Sequence, residues 1–244
     1  MAFTEEIKKA IDEYCCRDLN NDEWYEKQFD FIKDITLKSR IACEFKNVRY
    51  IYKIFEGLSA KDELYLAEVR LQILMYASIY EAVIHYLLFE EYYKNEEKVK
   101  DLLLQKVNKP FCIPPKQHTE LESLLSHDGK QIIPYFSTTQ KRDITKIRFD
   151  EKCKLAFELG ILADIPEQSE HPSSIVSAED CQDIPMFCAE LIRIYEIRNA
   201  IHIHAELKKD IDYHIELSKV AYRRMQPFIA QIKAKLIADG LYSE

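Results

Sequence analysis

Only four glycines serve this chain of 244 residues, beside 8 prolines, too few to turn the many short strands of a β-sandwich or barrel. A chain so poor in tight-turn residues must run mostly as helices. With 47% hydrophobic and 31% charged residues it has enough apolar side chain for a real core, and it falls outside the disordered, collagen-like and disulfide-stapled classes. The fold class this predicts is all-α.

Apolar spacing three or four apart (Ile7, Ile11, Tyr14; Phe29, Ile32, Ile35) predicts two or three wet helices over residues 3–52, with a break at Asn20-Asn21-Asp22. Gly57-Leu58-Ser59 reads as a stop, and Ser59 followed by Asp62 and Glu63 as a helix start. From about Ala60 to Tyr93 runs the most apolar helix of the chain, its spine, with Leu66, Val69, Ile73, Tyr76, Tyr80, Val83 and Leu87 along a broad buried stripe. Glu96 to Lys106 is read as a further helix, and 113–137 as short helix and loop around Pro110, Pro114 and Pro115. Phe149 to Leu159 is an amphipathic helix closed by Gly160, followed by an acidic loop over 164–183 and helical periodicity over 184–203 and 210–238. The division expected from this pass is an amino-terminal helical extension, 1–60, and a main helical domain, 61–240.

Net charge of −8 argues against a protein coated in nucleic acid but not against a local footprint. Lys130 to Lys154 is the most basic stretch, with Lys130, Lys141, Arg142, Lys146, Arg148, Lys152 and Lys154. It reads either as a solvated helix face or as a nucleic-acid footprint. Seven cysteines without CxxC or Cys/His spacing suggest neither a disulfide framework nor zinc, and suit a reducing cytoplasm. The opening MAFTEEIKKA has no apolar core of a signal peptide, and Gln72, Glu81 and His85 inside the spine make a membrane span expensive. No glycine-rich phosphate loop exists, and the carboxylate pairs Glu90-Glu91 and Glu96-Glu97 read as solvated helix ends, so no nucleotide cofactor and no metal is expected. Many of the aromatic residues fall on apolar stripes and are read as core.

The segment EIRNAIHIH, Glu196 to His204, gathers chemically versatile residues inside an apolar helical stretch. Arg198 and His202, four apart, share one face of a regular helix, whereas His204 lies about 240° around from Arg198 and would join it only across a bend or helix end. An arginine and a histidine aimed at one point suit phosphodiester chemistry. Guanidinium grips non-bridging oxygens, imidazole moves a proton near neutral pH, and RNA supplies its own 2′-hydroxyl nucleophile. The bland alternative is a surface arginine beside ordinary helix histidines.

These residues resemble the motif of the HEPN superfamily of small helical-bundle proteins, an Arg followed by a polar residue, often Asn, and a His after four to six intervening positions. Arg198-Asn199 and His204 match, with five intervening. The long apolar helix ahead, the helix and turn at Ala156 to Leu162 and the closing helix resemble the family's context, over roughly 63–237 and weakly outside the motif. The resemblance implies an antiparallel helical bundle with an extra amino-terminal segment. It implies a metal-independent endoribonuclease acting on an RNA substrate, with Arg198 and His204 facing their counterparts across a homodimer cleft. Asn199 would orient the histidine or the phosphate, and Glu196, Ser78 and Glu81 would be supports. His202 departs from the family spacing but has the better helical geometry, so both histidines stand. Toxin–antitoxin and phage-defence roles, with an antitoxin or effector as partner, come with the resemblance, as does the alternative of a non-catalytic scaffold or binding module.

Overall fold

The computed structural model describes residues 2–110, 113–124, 135–164, 175, 176, 181, 184–201 and 211–243. They fall into two compact units, one made of residues 1–94 and 148–244 and the other of 95–147. These boundaries differ from the expected one near residue 60. The longest helix of the first sixty residues packs onto the spine, the two before it pack onto that helix, and all three belong to the spine's unit, while the separate piece is an insertion after it.

The larger unit holds α1 (Glu5–Cys16), α2 (Asp22–Gln28), α3 (Ile35–Gly57), α4 (Asp62–Tyr86), α7 (Phe149–Glu158), α8 (Met186–Ala200) and α9 (Ile215–Ala238). Side-chain caps start two of them: Asn21 accepts from the Trp24 N–H at 3.0 Å and Asp34 from the Leu37 N–H at 3.0 Å. Gly160 ends α7 as expected, in the left-handed region at φ +69, with the Ile161 N–H reaching back to the Ala156 carbonyl at 2.9 Å. Ser59 is a correction. It does not cap α4 but takes φ +49 just past the end of α3, its N–H bonded to the Glu56 carbonyl. Gly57 is needed for space, since a Cβ there would lie 2.9 Å from the Tyr14 ring of α1.

Helix α4 is the spine, packed by α3, α7, α8 and α9. By length and composition residues 62–92 would suffice to cross a membrane, but 61% of the apolar window is buried in the bundle, as in a core helix. The Tyr80 hydroxyl donates to the Ala221 carbonyl at 2.6 Å, and its ring meets Phe228 edge-on at 4.9 Å, tying α4 to α9. Beyond Tyr86 the helix continues as a π-helical turn, Leu87–Tyr92. The Tyr86 hydroxyl donates to Glu91 and accepts from the Lys33 N–H at 3.0 Å, while Lys33 Nζ pairs with Glu91 at 2.6 Å. Tyr92 then donates to Asp239, just past the end of α9, at 2.6 Å.

The smaller unit corrects the expectation of an all-α chain. It contains α5 (Glu97–Leu102), α6 (Pro115–Leu124) and an antiparallel two-stranded ribbon of β1 (Leu104–Pro110) and β2 (Tyr135–Lys141), followed by a single 3-10 turn, Ile144–Lys146. Register runs from Leu104 opposite Lys141 to Pro110 opposite Tyr135. The helix expected over Glu96 to Lys106 stops at Leu102 because the chain turns into β1. Tyr, Phe and two Thr in β2 favour extended backbone, and Pro110 sits at the strand end. The protein is mainly helical, with this ribbon as its described β-structure.

Between α8 and α9 lies a buried ion pair: Arg224 Nη2 donates to Glu190 Oε1 at 2.9 Å and its Nε to the other oxygen, with the Glu190 side chain 1% exposed. Removing one partner strands a charge in the core, whereas replacing both with apolar groups does not. Glu190→Ala should therefore destabilise the fold by about 3 kcal/mol, and the double variant Glu190→Leu, Arg224→Met by much less. Urea unfolding of the three proteins measures both values, and equal losses in the single and double variants would contradict this account.

Candidate functional site

Arg198 occupies the last turn of α8, which ends at Ala200. The helix expected over 184–203 runs from Met186 to Ala200. His202 and His204 lie outside the described residues. What the structure does place is the cationic half of the motif and its surroundings.

Three groups hold the Arg198 guanidinium. Its Nη1 donates to Asn199 Oδ1 at 2.9 Å, its Nη2 lies 4.0 Å from Glu81 Oε2, and its plane sits 5.2 Å from the centroid of the Tyr195 ring. Tyr195 is itself fixed, stacked on Phe149 at 4.5 Å and donating its hydroxyl to Glu81 Oε1 at 3.1 Å. Burial and the neighbouring Glu81 carboxylate push the Tyr195 phenol above its ordinary range, so it stays a donor. Arg198 nevertheless keeps 31% of its side chain exposed, the state of a cation held in place but open to an anion.

On the far side of Glu81 stands Lys152 of α7, its ammonium 3.9 Å from Glu81 Oε1 and 3.3 Å from His85 Nδ1. Both readings of the basic stretch, solvated helix face or nucleic-acid footprint, put Lys152 at the surface; its side chain is in fact 4% exposed. Burial draws its pKa down, and burial together with the Lys152 charge draws that of His85 down. A lysine ammonium only donates, so His85 accepts through Nδ1 and carries its proton on Nε2. Glu81 and His85 then line one wall of a groove of about 670 Å³ that also takes in Tyr86, Glu90 and Glu91.

Of the supports named from the sequence, Glu81 joins Arg198 and Asn199. Ser78 lines the same groove, but its hydroxyl donates to its own helix at the Leu74 carbonyl, 2.8 Å away. Glu196 is not brought into the cluster: it pairs with Arg193 at 3.6 Å and lines a different hollow, beside Ile192. Tyr195, Lys152 and His85 are the members that sequence reading missed. Tyr195 stands three before Arg198 and His85 four after Glu81, so each shares a helix face with a residue already singled out. For Lys152 no sequence signal existed. Among the described residues no three His, Cys, Asp or Glu side chains converge as a metal site would require. The described cysteines are all free thiols.

No protein-family model, curated protein or solved structure matches the chain.

Because His85 is harder to protonate in the folded protein, the unfolded chain takes up its proton first as pH falls from about 6.5. Stability contributed by the neutral ring is whole above that pH and is lost below it. Urea unfolding at pH 7.5 and pH 5.5 should show a drop in wild type that is smaller in His85→Asn, and an identical drop in the two would refute the assignment.

Proposed function

We propose that the chain is a HEPN-like, metal-independent endoribonuclease of the cytoplasm that cleaves RNA by 2′-hydroxyl attack at a site shared between two protomers. The observation that carries this reading is Arg198: oriented by Asn199, Tyr195 and Glu81, yet one-third open to solvent. A guanidinium restrained in this way is prepared for the negative charge that gathers on a phosphodiester in its transition state, without reorganisation at the moment of reaction. His204 or His202, in the six residues after Arg198, supplies the proton transfer, taking the 2′-hydroxyl proton or protonating the departing 5′-oxygen. The balance of the step is internal. The 2′-oxygen bonds to phosphorus, the bond to the 5′-oxygen breaks, and a 2′,3′-cyclic phosphate and a 5′-hydroxyl result. Toxin–antitoxin or phage-defence work, with an antitoxin or effector as partner, is the setting in which this chemistry fits.

A second reading, a HEPN-like scaffold or binding module without turnover, draws on Glu81. Its carboxylate already faces Arg198, and the adjoining groove carries Glu90 and Glu91 as well, which opposes phosphate there.

Both are tested by incubating a mixed RNA pool with EDTA and wild type, Arg198→Ala, His202→Ala or His204→Ala, and analysing product ends. The ribonuclease reading expects chelation-resistant cleavage leaving cyclic phosphates, with a loss of about 100-fold or more in Arg198→Ala and in one histidine variant. RNA left intact by wild type at high concentration would transfer the assignment to the scaffold.

A further inference from the structure

The insertion that breaks the helical pattern also breaks the charge pattern. Residues 95–147 hold nine Lys and Arg against seven Asp and Glu, while the rest of the chain holds 25 against 35. Within the insertion the carboxylates avoid the ribbon. No Asp or Glu occurs over 102–119 or over 129–142, stretches that contain both strands and carry Lys106, Lys109, Lys116, Lys130, Lys141 and Arg142.

Register sorts the ribbon's side chains, because paired residues of antiparallel strands share a face and neighbours alternate. Leu104 with Lys141, Lys106 with Thr139, Asn108 with Ser137 and Pro110 with Tyr135 form one face; every one of these residues is exposed. Asn108 and Ser137 are joined across the ribbon, the hydroxyl donating to Asn108 Oδ1 at 2.9 Å. That face therefore offers two ammonium groups toward one end and an aromatic ring at the other, about 13 Å apart along the strands between the Lys106 and Tyr135 rows. On the opposite face Lys109 stands directly across from Phe136. Tyr135 is 62% exposed and Phe136 48%, an unusual outlay of aromatic surface to water on a strand without a single acid.

Cations spaced along a ribbon and solvent-facing rings beside them are complementary to a polymer that alternates phosphates with stackable bases. Duplexes fit it less well. The major groove of A-form RNA is too narrow to admit a ribbon, and a paired, stacked helix offers its bases' edges rather than their faces to Tyr135 and Phe136. We propose that the β1–β2 ribbon is a binding arm for single-stranded RNA, in which Lys106, Lys109 and Lys141 hold phosphates and Tyr135 and Phe136 stack on bases. The choice of RNA over single-stranded DNA rests on the ribonuclease reading; the ribbon's affinity for a single strand does not. Such an arm reconciles an acidic protein with a polyanionic substrate, because the contact is made by a local basic element.

The test is fluorescence anisotropy of a labelled oligouridylate with the full-length protein, in an Arg198→Ala background so that the strand is not consumed. Two sets of substitutions are added to that background, Lys106→Gln, Lys109→Gln, Lys141→Gln together, and Tyr135→Ala, Phe136→Ala together; circular dichroism checks that both remain folded. Each set should weaken binding by about tenfold, and the lysine set should lower the slope of log affinity against log salt by about 2, the value for three single-strand phosphate contacts. The aromatic set should leave that slope unchanged. Absence of binding in the background protein, unchanged affinity in both sets, or a ribbon-dependent preference for duplex DNA over the oligouridylate would each overturn the proposal. The outcomes separate from those of the cleavage assay: wild type that cuts RNA while both sets bind normally sinks the arm alone, and ribbon-dependent binding by a protein that never cuts sinks the nuclease alone.

Discussion

A helix apolar on nearly every side has to be covered on nearly every side, and the rest of the larger unit follows from meeting that demand for α4. Val69, Ile73, Tyr76, Tyr80, Val83 and Leu87 are all at most 1% exposed, reached by α3, α7, α8 and α9 from different directions. Polar groups on such a helix are drawn inside with it and must find partners there. Gln72 donates to Glu68 at 2.9 Å within the same helix; Glu81 and His85, a turn apart, are met instead by Tyr195 from α8 and Lys152 from α7. The cluster around Arg198 is thus a consequence of covering the spine, built where its apolar stripe is interrupted.

That origin explains the character of the site. Glu81 is engaged from several sides, by a phenol, a buried ammonium and a guanidinium, so it acts as the hub that relates α4, α7 and α8 to one another. Arg198 sits at a helix end rather than in its middle and keeps 31% of its side chain exposed, which leaves it open to a ligand. His202, the nearer histidine of the motif, lies two positions beyond the end of α8 in the sequence.

Much of this was legible in the sequence. Periodicity located the helices that are strongly amphipathic or wholly apolar, because burial on one side writes itself into every third or fourth letter. The motif Arg198-Asn199 was legible for the opposite reason, as polar residues where apolar ones were due. The ribbon was not. Its strands alternate exposed with exposed residues, so no face is marked by burial, and only the Tyr-Phe-Ser-Thr-Thr run hinted at extended backbone. Lys152 was illegible because a lysine among lysines looks like surface; what buries it is the arrival of α4 from some 70 positions earlier, which no local pattern encodes. Ser59 misled because a good capping residue also tolerates the turn that ends a preceding helix.

The π turn at the end of α4 fixes something other than chemistry. Through it, Tyr86 is held against Lys33 and Glu91 while Tyr92 reaches Asp239 at the close of α9, and both anchors depend on how many residues lie between them. The wide turn absorbs one residue more than ordinary winding would hold between these anchors, and a further residue, which it cannot absorb, would swing Tyr92 by about 100° around the helix axis, away from its anchor. Substitution within Leu87–Tyr92 is a local disturbance, but a further insertion is a change of phase between two anchored ends. In descendants of this chain the number of residues in that turn should vary less than their identities, so that the segment's length serves as a marker of common descent where its letters do not.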